Sequence, residues 1–116
     1  MSREDLPEPD ERPELGMRPA WRLTWSPCFP VAAMVEGHVW VLRLNSFPDH
    51  PMWTLFVDGT RRFDVEAMPE SWGRPLRIGT RPAGPRAARR MLAGVREYTV
   101  YGSEVGDPCE DPFCCG

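Results

Sequence analysis

From residue 21 the chain alternates. Trp21, Leu23 and Trp25 are interleaved with Arg22, Thr24 and Ser26, a period of two that fits a strand with one buried face. Ser26-Pro27-Cys28-Phe29-Pro30 breaks the pattern. Residues 31–35 then run through Glu36-Gly37 into 38–44, two β-rich runs around a short Gly-containing turn, which predicts a hairpin. A two-residue loop sets Val35 opposite His38, Ala33 opposite Trp40 and Val31 opposite Leu42. Glu36 is a poor occupant of a positive-φ site, so a bulged turn is the alternative. The next strand is predicted over 52–57 and ends at Asp58-Gly59, the stronger of the two hairpin signals. Residues 61–65 return beside it, and a helical turn over 64–68 is stopped by Pro69.

A second period appears near the C-terminus. Ala88, Met91, Leu92 and Val95 fall at i, i+3, i+4 and i+7, one face of a helix over 86–98 with Pro85 in its first turn. Gly94 weakens that helix by about 1 kcal/mol relative to Ala and marks close packing against the sheet. Residues 98–101 have β character and suit an edge strand. The fold class is therefore α+β: a single small domain with an antiparallel sheet of four to six strands and one main C-terminal helix packed on one face. Residues 1–19 are expected to be a flexible, acidic, Pro-rich arm, 20–102 the domain, and 103–116 an acidic, Cys-containing tail.

Both faces of the central strands read as apolar. Val39 and Val41 oppose Trp40, Leu42 and Leu44, while Met52 and Phe56 oppose Trp53, Leu55 and Val57. One helix cannot cover both sides of such a sheet. Either the N-terminal strand and loops cover the second side, or another chain does. The second alternative points to a protein partner, or to a homodimer through a sheet face.

Composition narrows this picture in a few places. The 116 residues suit one domain, and 41% hydrophobic content with five Trp and five Phe is enough for a core. Fourteen Pro and ten Gly favour short elements and many turns. Every basic side chain apart from His is Arg, a skew that reads as a GC-rich coding sequence, bacterial in character, and carries no function. The acidic start resembles no signal peptide, and no apolar run approaches a membrane span. The expected compartment is the cytoplasm, where thiols stay reduced.

Four candidate chemistries are present. Cys28, Cys109, Cys114 and Cys115 are four thiolates that would suit zinc, the cofactor alternative, although a vicinal pair departs from the paired knuckles of structural zinc sites. Asp49 and His50 share a loop and form a nominal base-and-orienter pair, but no nucleophile motif accompanies them, so no enzymatic activity and no catalytic residue is assigned. The span 74–96 carries seven Arg and no acid, against a net charge of −3 for the whole chain. It reads as a solvated helix face, and the overall charge argues against a nucleic-acid partner. Phe47, Asp49, His50, Trp53 and Trp72 are the expected contacts for a protein partner, with the aromatics as anchors.

The run Trp53-Thr-Leu-Phe-Val-Asp58-Gly59, with Arg62-Phe63-Asp64 and Met68-Pro-Glu-Ser-Trp72-Gly73, resembles small bacterial immunity-type proteins across residues 21–75. That resemblance implies a non-enzymatic inhibitor that covers a cognate toxin with surface loops and acidic patches. The Arg-rich helix and the Cys tail have no counterpart in it. The function expected from the sequence is thus a non-enzymatic protein-binding domain without cofactor, with a metal- or thiol-linked protein using the Cys cluster as the alternative.

Overall fold

The computed structural model describes residues 12–46, 50–77 and 79–108. Five antiparallel strands lie in chain order in one sheet: β1 (Arg22–Leu23), β2 (Val31–Val35), β3 (His38–Leu44), β4 (Trp53–Val57) and β5 (Thr60–Val65). One helix, α1 (Pro85–Leu92), continues as a 3-10 turn over Ala93–Val95. The α+β architecture with one C-terminal helix holds. The first hairpin has the two-residue register, pairing Val35 with His38, Ala33 with Trp40 and Val31 with Leu42. Glu36 and Gly37 take φ of 53° and 82°, so Glu36 occupies the left-handed site despite its side chain. Asp58 and Gly59 repeat the geometry in the β4–β5 turn.

The alternation of the strands sorts their side chains into two cores. On one face Val31, Ala33, Trp40, Leu42, Trp53, Leu55 and Phe63 pack with Trp21 and Trp72. The rings of Trp21, Trp40 and Trp72 meet edge-on or tilted, with centroids 5.8–6.3 Å apart. Trp21 Nε1 donates to the Trp72 carbonyl at 3.1 Å, and Trp72 Nε1 donates to the Glu14 carbonyl at 2.7 Å. On the other face Ala32, Val41 and Phe56 pack against Phe29, Cys28 and Val95, with Met91, Leu92 and Tyr98 around them. Gly94 packs closely as expected: a Cβ on it would lie 3.1 Å from Gly59 Cα.

Each face is thus roofed by the chain itself. Segments around Glu14, Trp21 and Trp72 cover the first face, and α1 with the segment after it covers the second. The face that α1 leaves open is thus covered by the N-terminal segment and loops, the first of the two alternatives, and the apolar character of both faces no longer calls for a second chain.

Four local expectations are corrected. Residues Pro13–Gly16 form a 3-10 turn docked on the core, with Glu14 buried, so this part of the expected 1–19 arm is ordered against the domain, while residues 1–11 lie outside the described residues. Residues 64–68 make no helical turn, because β5 continues to Val65 and the turn comes later, at Glu70–Trp72. Residues 98–101 add no edge strand; their carbonyls instead accept hydrogen bonds from Arg43. Ser103–Val105 is a 3-10 turn tied to the sheet, so the domain extends past 102. No helix among the described residues is long and apolar enough to cross a membrane.

Candidate functional site

The arginines divide into two groups. Arg43 points from β3 into the second face and is fully buried, at 0% exposure. Burying a guanidinium is costly unless every donor is met. Arg43 Nε donates to Asn45 Oδ1 at 2.8 Å, and Nη1 to Glu104 Oε1 at 2.7 Å and to the Tyr98 carbonyl at 2.9 Å. Nη2 reaches Glu104 Oε2 at 3.2 Å and Thr54 Oγ1 at 3.3 Å. The guanidinium also lies over the rings of Phe56 and Tyr101, 5.2 and 5.4 Å from their centroids. Asp64 accepts from Thr54 Oγ1 at 2.6 Å and from Tyr101 Oη at 2.9 Å, and pairs with Arg61 at 2.9 Å. No buried side-chain nitrogen or oxygen among the described residues lacks a partner.

This network pins residues 98–104 onto the sheet. Burial alone would raise the pKa of Glu104, but hydrogen bonds from Arg43 and from its own backbone N–H, with the charges of Arg43 and Arg61, hold it below the ordinary glutamate value. Glu14 follows the same logic against Arg62, whose Nε lies 2.5 Å from its Oε2. Burial, then the hydrogen bond to Asp64, raises the Tyr101 hydroxyl.

A second group of arginines behaves differently. Arg22, Arg74, Arg77, Arg81, Arg86, Arg89, Arg90 and Arg96 are all exposed. None makes a salt bridge with a carboxylate among the described residues, where the ion pairs engage His38, Arg43, Arg61 and Arg62. They surround connected depressions. A groove of about 710 Å³ between α1 and the β2–β3 hairpin is floored by Ala20, Met34, Val39, Ala83, Ala87 and Met91, with Arg22 and Arg90 at its sides. A cleft of about 470 Å³ joins it through Ala20 and Arg22 and is edged by Arg74, Arg77 and Arg81. Arg90 connects the groove to the remaining helix arginines, Arg86, Arg89 and Arg96. Among the described residues, no Asp or Glu lines any of these depressions.

Apolar side chains are exposed on the same side. Met34 is 56% exposed at the groove, and Trp25 is 75% exposed beside Ala88, Arg89 and Leu92. Trp25 takes φ of 66°, an unusual conformation for a bulky residue. This reversal carries it off the alternation that buries Trp21. The loop is held by Thr24 Oγ1 donating to the Phe29 carbonyl and by Phe29 N donating to Ser26 Oγ. Strain of about 1–3 kcal/mol at such a residue persists only where the surroundings enforce it.

The partner contacts expected from the sequence are not gathered at this surface. Trp53 and Trp72 are 3% and 2% exposed. They are core residues and cannot act as surface anchors, because the pleat and the Trp cluster turn both inward. His50 is half-buried and stacked on Tyr101, with centroids 4.0 Å apart. Phe47 and Asp49 lie outside the described residues. Cys28 is buried under Phe29 and is disulfide-bonded, so it is not the free thiolate that a zinc ligand requires. Cys109, Cys114 and Cys115 lie outside the described residues. Among those described, no group of His, Cys, Asp and Glu could hold a metal.

What sequence reasoning missed is Arg22, Met34 and Trp25. The signal for the first two was present: Arg22 alternates with Trp21, and Met34 with Ala33, which puts them on the α1 side. Trp25 gave no signal, since its position in the alternation suggested burial. Comparisons with known proteins add no guidance here: no family model, curated protein or solved structure matches the chain.

Proposed function

We propose that the chain is a non-enzymatic protein-binding domain that docks an acidic partner on the groove between α1 and the β2–β3 hairpin. The observation that carries this reading is an apolar floor flanked by Arg22 and Arg90, with six more exposed arginines in the adjoining depressions and no acid lining any of them among the described residues. Arg, Trp and Met are the residues enriched in the centres of protein interfaces. A phosphate backbone would use the arginines but not Met34, Val39 and Met91. This favours a polypeptide over a nucleic acid. The unopposed positive charge would speed encounter with an acidic surface, and desolvation of the Met floor would supply affinity.

An immunity-type role is the specific form of this proposal, with the toxin as the acidic partner. In it the chain presents arginines, whereas the resemblance implied acidic patches. Homodimerisation through the groove is opposed by charge, because an isologous contact would bring the same basic face against itself. The cytoplasmic setting does not enter the proposal. Its ground was reduced thiols, and Cys28 is disulfide-bonded.

The test is quantitative capture with the whole chain, comparing the natural sequence with Arg22→Glu/Arg90→Glu and with Met34→Asp. The expected result is one acidic protein retained by the natural chain and lost from both variants. Equal capture by all three, or retention of nucleic acid alone in a salt-sensitive manner, contradicts the reading.

A further inference from the structure

The cleft beside the groove has a chemistry of its own. Arg22 from β1 and Arg74, Arg77 and Arg81 from the connection to α1 edge one concavity of about 470 Å³, together with Ser71, Thr80 and the backbone of Gly73 and Gly79. The connection is folded back on itself and clamped. Arg77 N donates to the Arg74 carbonyl at 3.1 Å and Thr80 N to the Arg77 carbonyl at 3.2 Å, two successive turns that repeat every three residues. Leu23 N then donates to the Arg81 carbonyl at 2.9 Å, and Ala83 N to the Leu23 carbonyl at 2.8 Å. These bonds hold Arg81 beside β1, and so beside Arg22.

Arg22, Arg74, Arg77 and Arg81 all line one hollow, their like charges repel, and none is paired with a carboxylate among the described residues. Ordinary surface arginines relieve such repulsion by spreading over a convex face. Here the clamped loop keeps them around a concave one, where low-dielectric walls strengthen the field at the centre. A group carrying two negative charges with several acceptor oxygens matches that field, and guanidinium forks bind it bidentately. A carboxylate has half the charge. A phosphodiester chain has one charge per unit spread along a line, a poorer match to a single hollow.

We propose that this cleft binds a phosphate monoester dianion, held by Arg22, Arg74, Arg77 and Arg81. The group is common to a phosphorylated side chain and to a small phosphate ester. The cleft shares Arg22 with the acidic-partner groove, so the two readings are separated by changing Arg74 and Arg77, which line the cleft and not the groove or α1.

The experiment titrates the full chain with inorganic phosphate, phenyl phosphate, a phosphoserine peptide and the same peptide with Glu at the phosphoserine position, following amide chemical shifts. Saturable binding by the phosphate species, with residues 71–81 and 22 shifting and the Glu peptide at least about tenfold weaker, is expected. A phosphopeptide preferred over phenyl phosphate assigns the source to a modified protein, and the reverse assigns it to a small ester; either supports the site. Arg74→Gln and Arg77→Gln should each weaken binding about tenfold at unchanged melting temperature, while Arg86→Gln leaves it unaltered. No saturable shift, equal affinity for the Glu peptide, binding unaffected by Arg77→Gln, or an oligonucleotide that binds more tightly and is not displaced by phosphate would overturn the proposal.

Discussion

Arg43 and Arg90 carry the same side chain and share no circumstance. Arg43 is buried and satisfied by Asn45, Thr54, Glu104 and two carbonyls. Arg90 is exposed at the lip of an apolar groove, with no carboxylate paired to it among the described residues. One region of the molecule, where Arg43 meets Glu104, uses arginine to fix its own backbone; another, around α1 and the loop before it, leaves arginine open to something else. A single count of positive charge merges these roles. Burial and pairing separate them, and the separation has measurable consequences.

The largest effect is expected at the closed side. Arg43→Met removes one member of a buried ion pair and leaves Glu104 uncompensated, so stability measured by urea unfolding should fall by about 3–5 kcal/mol. Arg61, 3.4 Å from Glu104 Oε2, offsets part of that loss. Glu104→Gln keeps the shape but strands the guanidinium charge, at a cost of about 2–3 kcal/mol. The double change, Arg43→Met with Glu104→Met, should cost less than the two single costs added together.

The same pair gives a pH signature. Glu104 and Glu14 have folded pKa values below their unfolded ones. Their stabilisation is therefore complete above the ordinary glutamate pKa and is lost as pH falls through the lowered folded values. Stability followed from neutral to acid pH should decline in that window, and the decline should be shallower in Glu104→Gln. Arg62→Ala breaks a partly exposed bridge and should cost only about 1 kcal/mol. At the open side, Arg86→Ala and Arg89→Ala should stay within about 0.5 kcal/mol of the natural chain in the same assay.

How far the sequence anticipated this contrast can be traced residue by residue. The first hairpin's pairing was legible as one of two readings, since Glu36 left a bulged turn open, and Asp58-Gly59 marked the second turn but not the register shift between Leu55 and Phe56. The close packing at Gly94 was legible from a glycine where the helical pattern wants a side chain. Arg43 was not recognised as a buried group. Between Leu42 and Leu44 it reads as a solvent-facing polar residue, and only the later segment carrying Glu104 makes that position an interior. That segment is rich in Gly and acid, so local pattern suggests a loose tail. Its order comes from partners 61 positions away in the sequence, as with Arg43 and Glu104. Trp25 was misread because a single positive φ reverses a side chain without any mark in composition. The basic cluster over 74–96 was visible, but not the groove that Arg90 borders, since Met34 and Val39 come to α1 only through tertiary packing.

One paired measurement bears most directly on the division between fixed and open arginines. Arg62→Glu and Arg90→Glu reverse the same charge on the two sides, and each variant can be assayed for melting temperature and for affinity to the captured acidic partner. The expected result is a crossing: Arg62→Glu melts lower and binds as the natural chain does, while Arg90→Glu melts unchanged and loses binding. If both variants lose binding equally, or if Arg90→Glu melts lower and still binds, the open arginines are part of the scaffold and the proposed docking face is wrong.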